Sequence, residues 1–297
     1  MKGTIIKGIA GFYFVKSGDY VYRCKARGIF KQRNIKPAVG DIVEIEIIEG
    51  NDDSLITEIY PRKNSFIRPF VANVDCFAIV TAVTKPAPIL QTLDKFLVMA
   101  EKADTEIILC INKCDLADEN GKSGQRKAAE SLRLLREIYE PIYPVVCLNG
   151  ETGEGTERLK ELIKGKKTAL AGASGVGKST ILNRLIPEAF METGSISEKS
   201  QRGKHTTRHS ELFEMDGDSS TLIFDTPGFT SFDILEASEE ELQFLYPDIA
   251  EFTGKCRYDN CRHLSEPECK VKEALEKGKI NKYRYESYKL QMEEIKK

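Results

Sequence analysis

No apolar run in this 297-residue chain approaches the roughly 20 residues needed to cross a bilayer, and the best stretch, Val74 to Val83, is interrupted by Asp75. The opening residues, MKGTIIKGIAGFYF, lack the apolar segment ending in small residues that marks a secretory leader. Internal repeats and low-complexity tracts are missing too. Histidine is scarce, at three residues, and net charge is nearly absent, at −2. These absences exclude a membrane protein, a secreted precursor and a coiled-coil rod. The expectation is a cytoplasmic protein with no membrane partner, whose global charge says nothing about what it binds. A composition of 41% hydrophobic and 30% charged residues is that of a globular protein, long enough for two or three domains.

Charge is distributed unevenly. Residues 1–63 carry a net +3 and residues 270–297 a net +4, which leaves −9 for the centre. Such asymmetry bears on partners, not on fold. Of the eight cysteines, Cys24, Cys76, Cys110, Cys114 and Cys147 are scattered, as reduced thiols usually are. Cys256, Cys261 and Cys269 crowd into 14 residues with His263, which signals metal and not a disulfide framework.

Residues 1–60 read as short β-branched and aromatic strands separated by SGD, PAVG and GNDD turns, the pattern of a small OB-type barrel. Between two strands lies KARGIFKQRNIK, 25–36, whose basic residues surround Phe30. A basic loop with an interleaved aromatic suits binding along a nucleic-acid backbone, and a solvated hairpin loop is the alternative. Pro61 to Pro69 reads as a linker. Strands at 74–83, 106–111, 144–148 and 168–171 then alternate with helices at 89–103, 127–138, 158–163 and 178–186, and strands at 211–215 and 221–225 end the series. This predicts an α/β fold with a mainly parallel sheet. Beyond about 238 the pattern is helical, with Tyr283, Tyr285 and Tyr288 as packing residues. The expected domains are 1–64, 65–235 and 236–297.

Gly172-Ala173-Ser174-Gly175-Val176-Gly177-Lys178-Ser179, followed by Thr180, is a complete G-x-x-x-x-G-K-S between an apolar strand and a helix. Glycines let the loop curl its N–H groups toward phosphate oxygens, and the helix start adds partial positive charge. Lys178 is expected on the β and γ phosphates and Ser179 on Mg²⁺. Asp225-Thr226-Pro227-Gly228 closes another apolar strand; Asp225 is placed for the magnesium shell and the Gly228 N–H for the γ-phosphate. Asn112-Lys113-Cys114-Asp115 follows a third strand. The Asp115 carboxylate can accept from both N1–H and the exocyclic amine of guanine, a donor pair that adenine lacks. Asn112 is expected to bond N7 and brace the loop, with the Lys113 stem along the base. The order is unusual: the base-reading motif precedes the phosphate loop and the DTPG motif comes last, as if a GTPase had been cut open and rejoined.

Cys256-x4-Cys261-x-His263-x5-Cys269 supplies three thiolates and one imidazole, a closed tetrahedral set for structural Zn²⁺, with a labile redox thiol cluster as the alternative. Lys255, Arg257, Arg262 and Lys270 flank it and could meet RNA phosphates.

Across nearly its whole length the chain resembles the RsgA/YjeQ family of circularly permuted GTPases. The resemblance rests on NKCD 112–115, GASGVGKS 172–179, RGKHTTRH 202–209, DTPGF 225–229 and the Cys/His set. It implies a permuted P-loop GTPase domain between an N-terminal OB barrel and a C-terminal helical zinc module. It further implies a GTP hydrolase, stimulated by the small (30S) ribosomal subunit, that binds 16S rRNA and couples hydrolysis to late subunit maturation and its own release. A monomer using Mg²⁺ with GTP is expected. An rRNA-binding scaffold that uses GTP as a conformational ligand, with little turnover, is the competing reading. Thr206 or Thr207 would ligate magnesium and His205 would help position the attacking water, His209 being the weaker choice. Phe229 stands where Ras-like enzymes carry a water-orienting glutamine, which predicts slow unaided turnover. The base-side loop is Asn149-Gly150-Glu151-Thr152-Gly153, where the family pattern is S-A-x-T-G. Its contact to guanine O6 would come from backbone N–H, and is assigned to Asn149 and Gly150.

Overall fold

The computed structural model describes residues 1–48, 50–67, 69–186, 210–225, 229 and 237–296. In chain order it begins with β1 (Lys2–Ile9), β2 (Phe12–Ser17), β3 (Tyr20–Ala26), α1 (Gly28–Gln32), β4 (Ile42–Glu46), β5 (Ser54–Ile59), β6 (Ser65–Ile67) and β7 (Phe70–Ala72). The middle contains β8 (Cys76–Ala82), α2 (Leu90–Lys102), β9 (Glu106–Asn112), α3 (Ser123–Tyr139), β10 (Val145–Leu148), α4 (Thr156–Ile163), β11 (Lys167–Ala171) and α5 (Lys178–Leu185). The remainder is β12 (Glu211–Met215), β13 (Asp218–Asp225), α6 (Pro247–Ala250), α7 (Lys270–Glu276) and α8 (Lys282–Ile295). These elements form two compact units. One is Met1–Cys76 with Leu159–Leu170 and Ser179–Phe229; the other is Phe77–Arg158 with Ala171–Lys178 and Thr230–Lys297.

In the first unit β1 pairs antiparallel with β2 and β4, β2 with β3, and β4 with β5, while β3 and β5 run parallel. That cycle closes a five-stranded barrel and leaves no free edge. Inward-facing Ile5, Val15, Cys24, Val43, Ile45 and Ile56 are each at most 2% exposed and fill it. The basic 25–36 segment differs from its reading as an open loop. Gly28–Gln32 coil into α1 and Phe30 is buried. Burying a phenylalanine is worth about 1.5–3 kcal/mol, so the ring packs inward instead of standing ready for a base. Arg23 and Lys25 share Asp53, and Arg27 pairs with Glu46. Tyr20 of β3 is 70% exposed, and its ring centroid lies 6.4 Å from that of Tyr22. In the same unit β12 and β13 form an antiparallel hairpin, and β13 runs parallel to β11 with Ala169 opposite Phe224. Those two parallel strands leave the sheet at the same end, which is where ligands bind in α/β sheets.

In the second unit β10, β9 and β8 lie side by side, with β10 and β9 parallel from Val145–Leu109 to Leu148–Asn112. Every residue of β8 is buried, as a covered strand requires. The C-terminal helices close over a core that includes Val98 of α2 together with Leu242, Tyr246, Ile249, Val271, Tyr285, Tyr288 and Met292. Arg284 is fully buried there. It donates to Asp94 on α2 at 2.5 Å and to Asp248 on α6 at 3.0 Å, and its guanidinium lies 4.4 Å from the Tyr246 ring centre. Among the described residues no helix is long and apolar enough to cross a membrane.

Candidate functional site

The glycine-rich loop turns directly from β11 into α5, and its glycines are dictated by close approach. A Cβ on Gly172, at φ +138°, would come within 2.1 Å of the Val80 carbonyl oxygen. One on Gly177, at φ +99°, would come within 2.2 Å of Asn112 Nδ2. No other residue fits either position without displacing backbone or the asparagine. Lys178 Nζ donates to the carbonyls of Gly172 and Ala173 at 2.6 and 2.7 Å, and burial lowers its pKa to about 8. Val176 is buried, Ser174 and Gly175 are exposed, and Ser179 and Thr180 follow Lys178 in the first turn of α5.

Asn112 is the joint of the base-side region. Its Nδ2 donates to Val176 O at 2.8 Å, and its Oδ1 accepts from the Gly150 N–H at 3.0 Å. One buried amide thus ties the phosphate loop and the 149–153 loop to the end of β9. Lys113 takes the left-handed conformation at φ 64°, ψ 32°, and its Nζ donates to the carbonyls of Gly175, at 3.1 Å, and Lys85. Asp115 follows in a short 3-10 turn, Cys114–Leu116, with its side chain exposed. Asn149 serves as a turn former: its Oδ1 accepts from the N–H groups of Glu151 and Thr152 at 2.9 and 3.2 Å. Its own N–H donates to Glu154 O at 3.0 Å. An O6 contact from the Gly150 N–H would therefore be shared with Asn112.

Asp225 ends β13. Thr226, Pro227 and Gly228, and the whole RGKHTTRH segment with His205, Thr206, Thr207 and His209, lie outside the described residues. Phe229 is fully buried, edge-on against Phe66 with ring centroids 5.4 Å apart. The residue after DTPG is thus committed to packing.

Cys256, Cys261, His263 and Cys269 converge so that one ligand atom from each lies within 4.8 Å of the others. His263 Nδ1 is 3.6, 3.4 and 3.4 Å from the sulfurs of Cys256, Cys261 and Cys269. Its Nε2 faces Gln243 Oε1 at 2.9 Å, so a proton on Nε2 leaves Nδ1 free to ligate. Burial pushes the Cys261 thiol up to about 12 and raises that of Cys269, and it lowers the His263 pKa. Three sulfurs and one imidazole nitrogen converging this closely are the donor set of tetrahedral zinc, so the cluster could hold a structural zinc. The loop is anchored by α8: Tyr285 Oη donates to His263 O at 2.6 Å and Tyr288 Oη to Arg262 O at 2.8 Å. Both tyrosines pack, as their sequence pattern suggests, and both also hold the metal loop. Beside the cluster opens a cavity of about 630 Å³, edged by Lys255, Arg257, Lys270 and Lys272 with Glu268, Glu273 and Glu276.

A barrel, a P-loop fed by a parallel strand, base-side loops that precede that P-loop in the chain, and a terminal Cys/His cluster define a circularly permuted P-loop GTPase with a C-terminal metal module. The chain belongs to the RsgA GTPase family: the family model for RsgA GTPase matches residues 59–235, and that for the RsgA N-terminal domain matches residues 2–56. It is 44% identical over 298 residues to the small ribosomal subunit biogenesis GTPase RsgA of Alkaliphilus metalliredigens, covering 100% of this chain and 98% of that protein. The protein of the same name from Agathobacter rectalis is also 44% identical, over 310 residues, with 100% and 98% covered. Among solved structures, YjeQ from Thermotoga maritima superposes with a TM-score of 0.85 at 36% identity, covering 99% of this chain and 98% of its own. YloQ, a circularly permuted GTPase, gives 0.80 at 34%, with 99% and 94% covered. Membership in this GTPase family implies GTP hydrolysis with Mg²⁺.

Proposed function

We propose that this protein hydrolyses GTP in the biogenesis of the small ribosomal subunit, binding the 30S particle through 16S rRNA and using hydrolysis to time a late maturation step and its own release. The observation that carries the nucleotide half is the Asn112 joint, which ties the phosphate loop to the base-side loop within one buried hydrogen-bond system. The ribosomal half rests on the shared name of its full-length relatives.

In this reading the N–H groups of residues 172–180 cradle the phosphates, and Lys178 exchanges its two loop carbonyls for phosphate oxygens. Asp115 accepts from the guanine edge, while Lys113 holds the turn in register by its grip on Gly175. Ser179, Asp225 and Thr206 or Thr207 offer the hard oxygen donors that suit magnesium, which would neutralise charge on the β and γ phosphates. His205 helps position the attacking water. The buried Phe229 cannot, so unaided turnover is slow and the ribosomal partner raises it. The barrel's exposed Tyr20 supplies stacking, and Lys255, Arg257, Lys270 and Lys272 at the rim of the metal module supply phosphate contacts. The modules correspond to residues 1–64, 65–235 and 236–297.

The test is phosphate release with and without 30S subunits, combined with co-sedimentation at low and high salt. Multiple turnovers that rise steeply with 30S, and binding that weakens with salt, are expected. Equal fast rates in both conditions, or no co-sedimentation with any nucleotide, would reject the proposal.

A further inference from the structure

All eight cysteines lie among the described residues, and three are partly exposed: Cys114, Cys147 and Cys256. Cys256 belongs to the metal cluster. The other two have no part in the functions described so far, yet the fold brings them together. Cys147 lies on β10 directly opposite Ile111 of β9, and Cys114 Sγ donates to that same Ile111 carbonyl at 3.1 Å. Each thiol is also the largest influence on the ionisation of the other. Two half-exposed thiols 33 positions apart in sequence therefore share one small surface between two parallel strands.

Their placement relative to the nucleotide loops is specific. Cys114 stands between Lys113 and Asp115, and Cys147 is two residues before Asn149. The thiols bridge the two segments that Asn112 also bridges, on the polypeptide that would read the base. We propose that Cys114 and Cys147 form a reversible disulfide site, whose closure by a low-molecular-weight disulfide pulls the Asp115 turn toward β10 and weakens guanine nucleotide binding. The functional consequence rests on the reading of Asp115 as the guanine acceptor; the covalent site does not.

The chemistry balances by thiol–disulfide exchange. The Cys147 thiolate attacks one sulfur of a disulfide RSSR and expels RS⁻, giving a mixed disulfide. The Cys114 thiol loses its proton to solvent and its sulfur attacks Cys147 Sγ, expelling a second RS⁻. The protein loses two electrons and two protons, and RSSR becomes two RSH. Cys147 is the suitable first nucleophile. The neighbouring Cys114 thiol, then the charge of Arg136, lower its pKa to about 7, against burial and the opposing charge of Glu140. Cys114 is pushed the other way by Cys147, by burial and by the charge of Asp115. A disulfide holds its sulfurs about 2.05 Å apart, closer than any hydrogen bond between thiols. Closure also consumes the S–H by which Cys114 holds the Ile111 carbonyl at 3.1 Å, so the turn that carries Asp115 loses that tether, and misplacing a recognition group by about an ångström costs up to about 100-fold.

The experiment treats the zinc-loaded full chain with oxidised glutathione, maps tryptic peptides without reduction, and titrates fluorescent GDP before treatment, after it and after dithiothreitol. Trypsin leaves Cys114 in peptide 114–122 and Cys147 in peptide 137–158, each as the sole cysteine. The expected product is these two peptides joined, with at least a tenfold loss of GDP affinity that dithiothreitol restores. Cys147→Ser, with Cys147→Ala as a second variant should the first fold poorly, is expected to bind GDP equally well before and after treatment. Separate glutathione adducts on the two cysteines, or joined peptides with GDP affinity unchanged within twofold, would overturn the proposal. Failure of the untreated protein to bind GDP would sink the nucleotide reading instead, and the peptide map alone would then decide the covalent site.

Discussion

Replacing Asn112 by alanine separates bracing from base recognition. The substitution removes two buried hydrogen bonds, the one to the Val176 carbonyl at 2.8 Å and the one from the Gly150 N–H at 3.0 Å. Removing the partner of a buried polar group costs about 1–3 kcal/mol, so the two together cost about 2–6 kcal/mol. Part of that appears as lower stability and part as loops that no longer hold the binding geometry. If even the lower bound falls on binding, GDP affinity drops about 30-fold. Asp115→Ala provides the contrast. Its side chain is exposed, so its loss should leave the unfolding temperature unchanged while erasing the preference for guanine over adenine nucleotides. Asn112→Asp refines the test, since it keeps the acceptor for Gly150 but sets a carboxylate oxygen against the Val176 carbonyl, and should be no better than alanine. The assays are fluorescent GDP and ATP titration and thermal unfolding by circular dichroism. An Asn112→Ala protein with wild-type unfolding temperature and GDP affinity within twofold of wild type would refute the reasoning.

Lys178 has a lowered pKa, about 8, and phosphate would raise it, so the nucleotide-bound state holds the proton more tightly than the free state. Affinity for GDP should therefore be full below about pH 8 and fall by up to tenfold per unit above it; a profile from pH 7 to 8.8 no steeper than that of Lys178→Met would contradict this. Arg284→Met leaves Asp94 buried without its cation and should destabilise the protein by about 3–5 kcal/mol in urea unfolding; an unchanged midpoint would count against it. Gln243→Leu removes the acceptor that orients His263 and should weaken zinc by about 10–100-fold in chelator competition, with a chelation curve superimposable on wild type as the contrary result.

Local elements were legible because their patterns are local. The 168–171 strand, the glycine-rich loop and the following helix lie where alternation and motif predict, within a residue or two. The metal ligands were legible because four soft donors within 14 residues have no common structural explanation. Pairings of distant segments were not. Nothing near Asp94 announces that its partner is Arg284, 190 residues away, and nothing near Cys114 points to Cys147. Phe30 misled because a single aromatic between basic residues has no periodicity, and only the assembled barrel decides whether such a ring turns inward. The side chain of Asn149 holds its own turn, a role that Asn chemistry permits but sequence alone does not select, and one separate from the backbone contact to the base assigned to Asn149 and Gly150.

The buried Asp94–Arg284 pair also bears on how the protein can be dissected and made. A fragment that stops at residue 235 would present the carboxylate side of α2, with its neighbour Val98, to water or to the wrong neighbours, because the guanidinium and the apolar helices that cover them come later in the chain. The nucleotide-handling segment should thus behave as a poor autonomous folder, prone to aggregation when expressed without the helices that follow. A nascent chain emerging from its own ribosome meets the same interval, and α2 waits for its counter-ion until α8 has been synthesised.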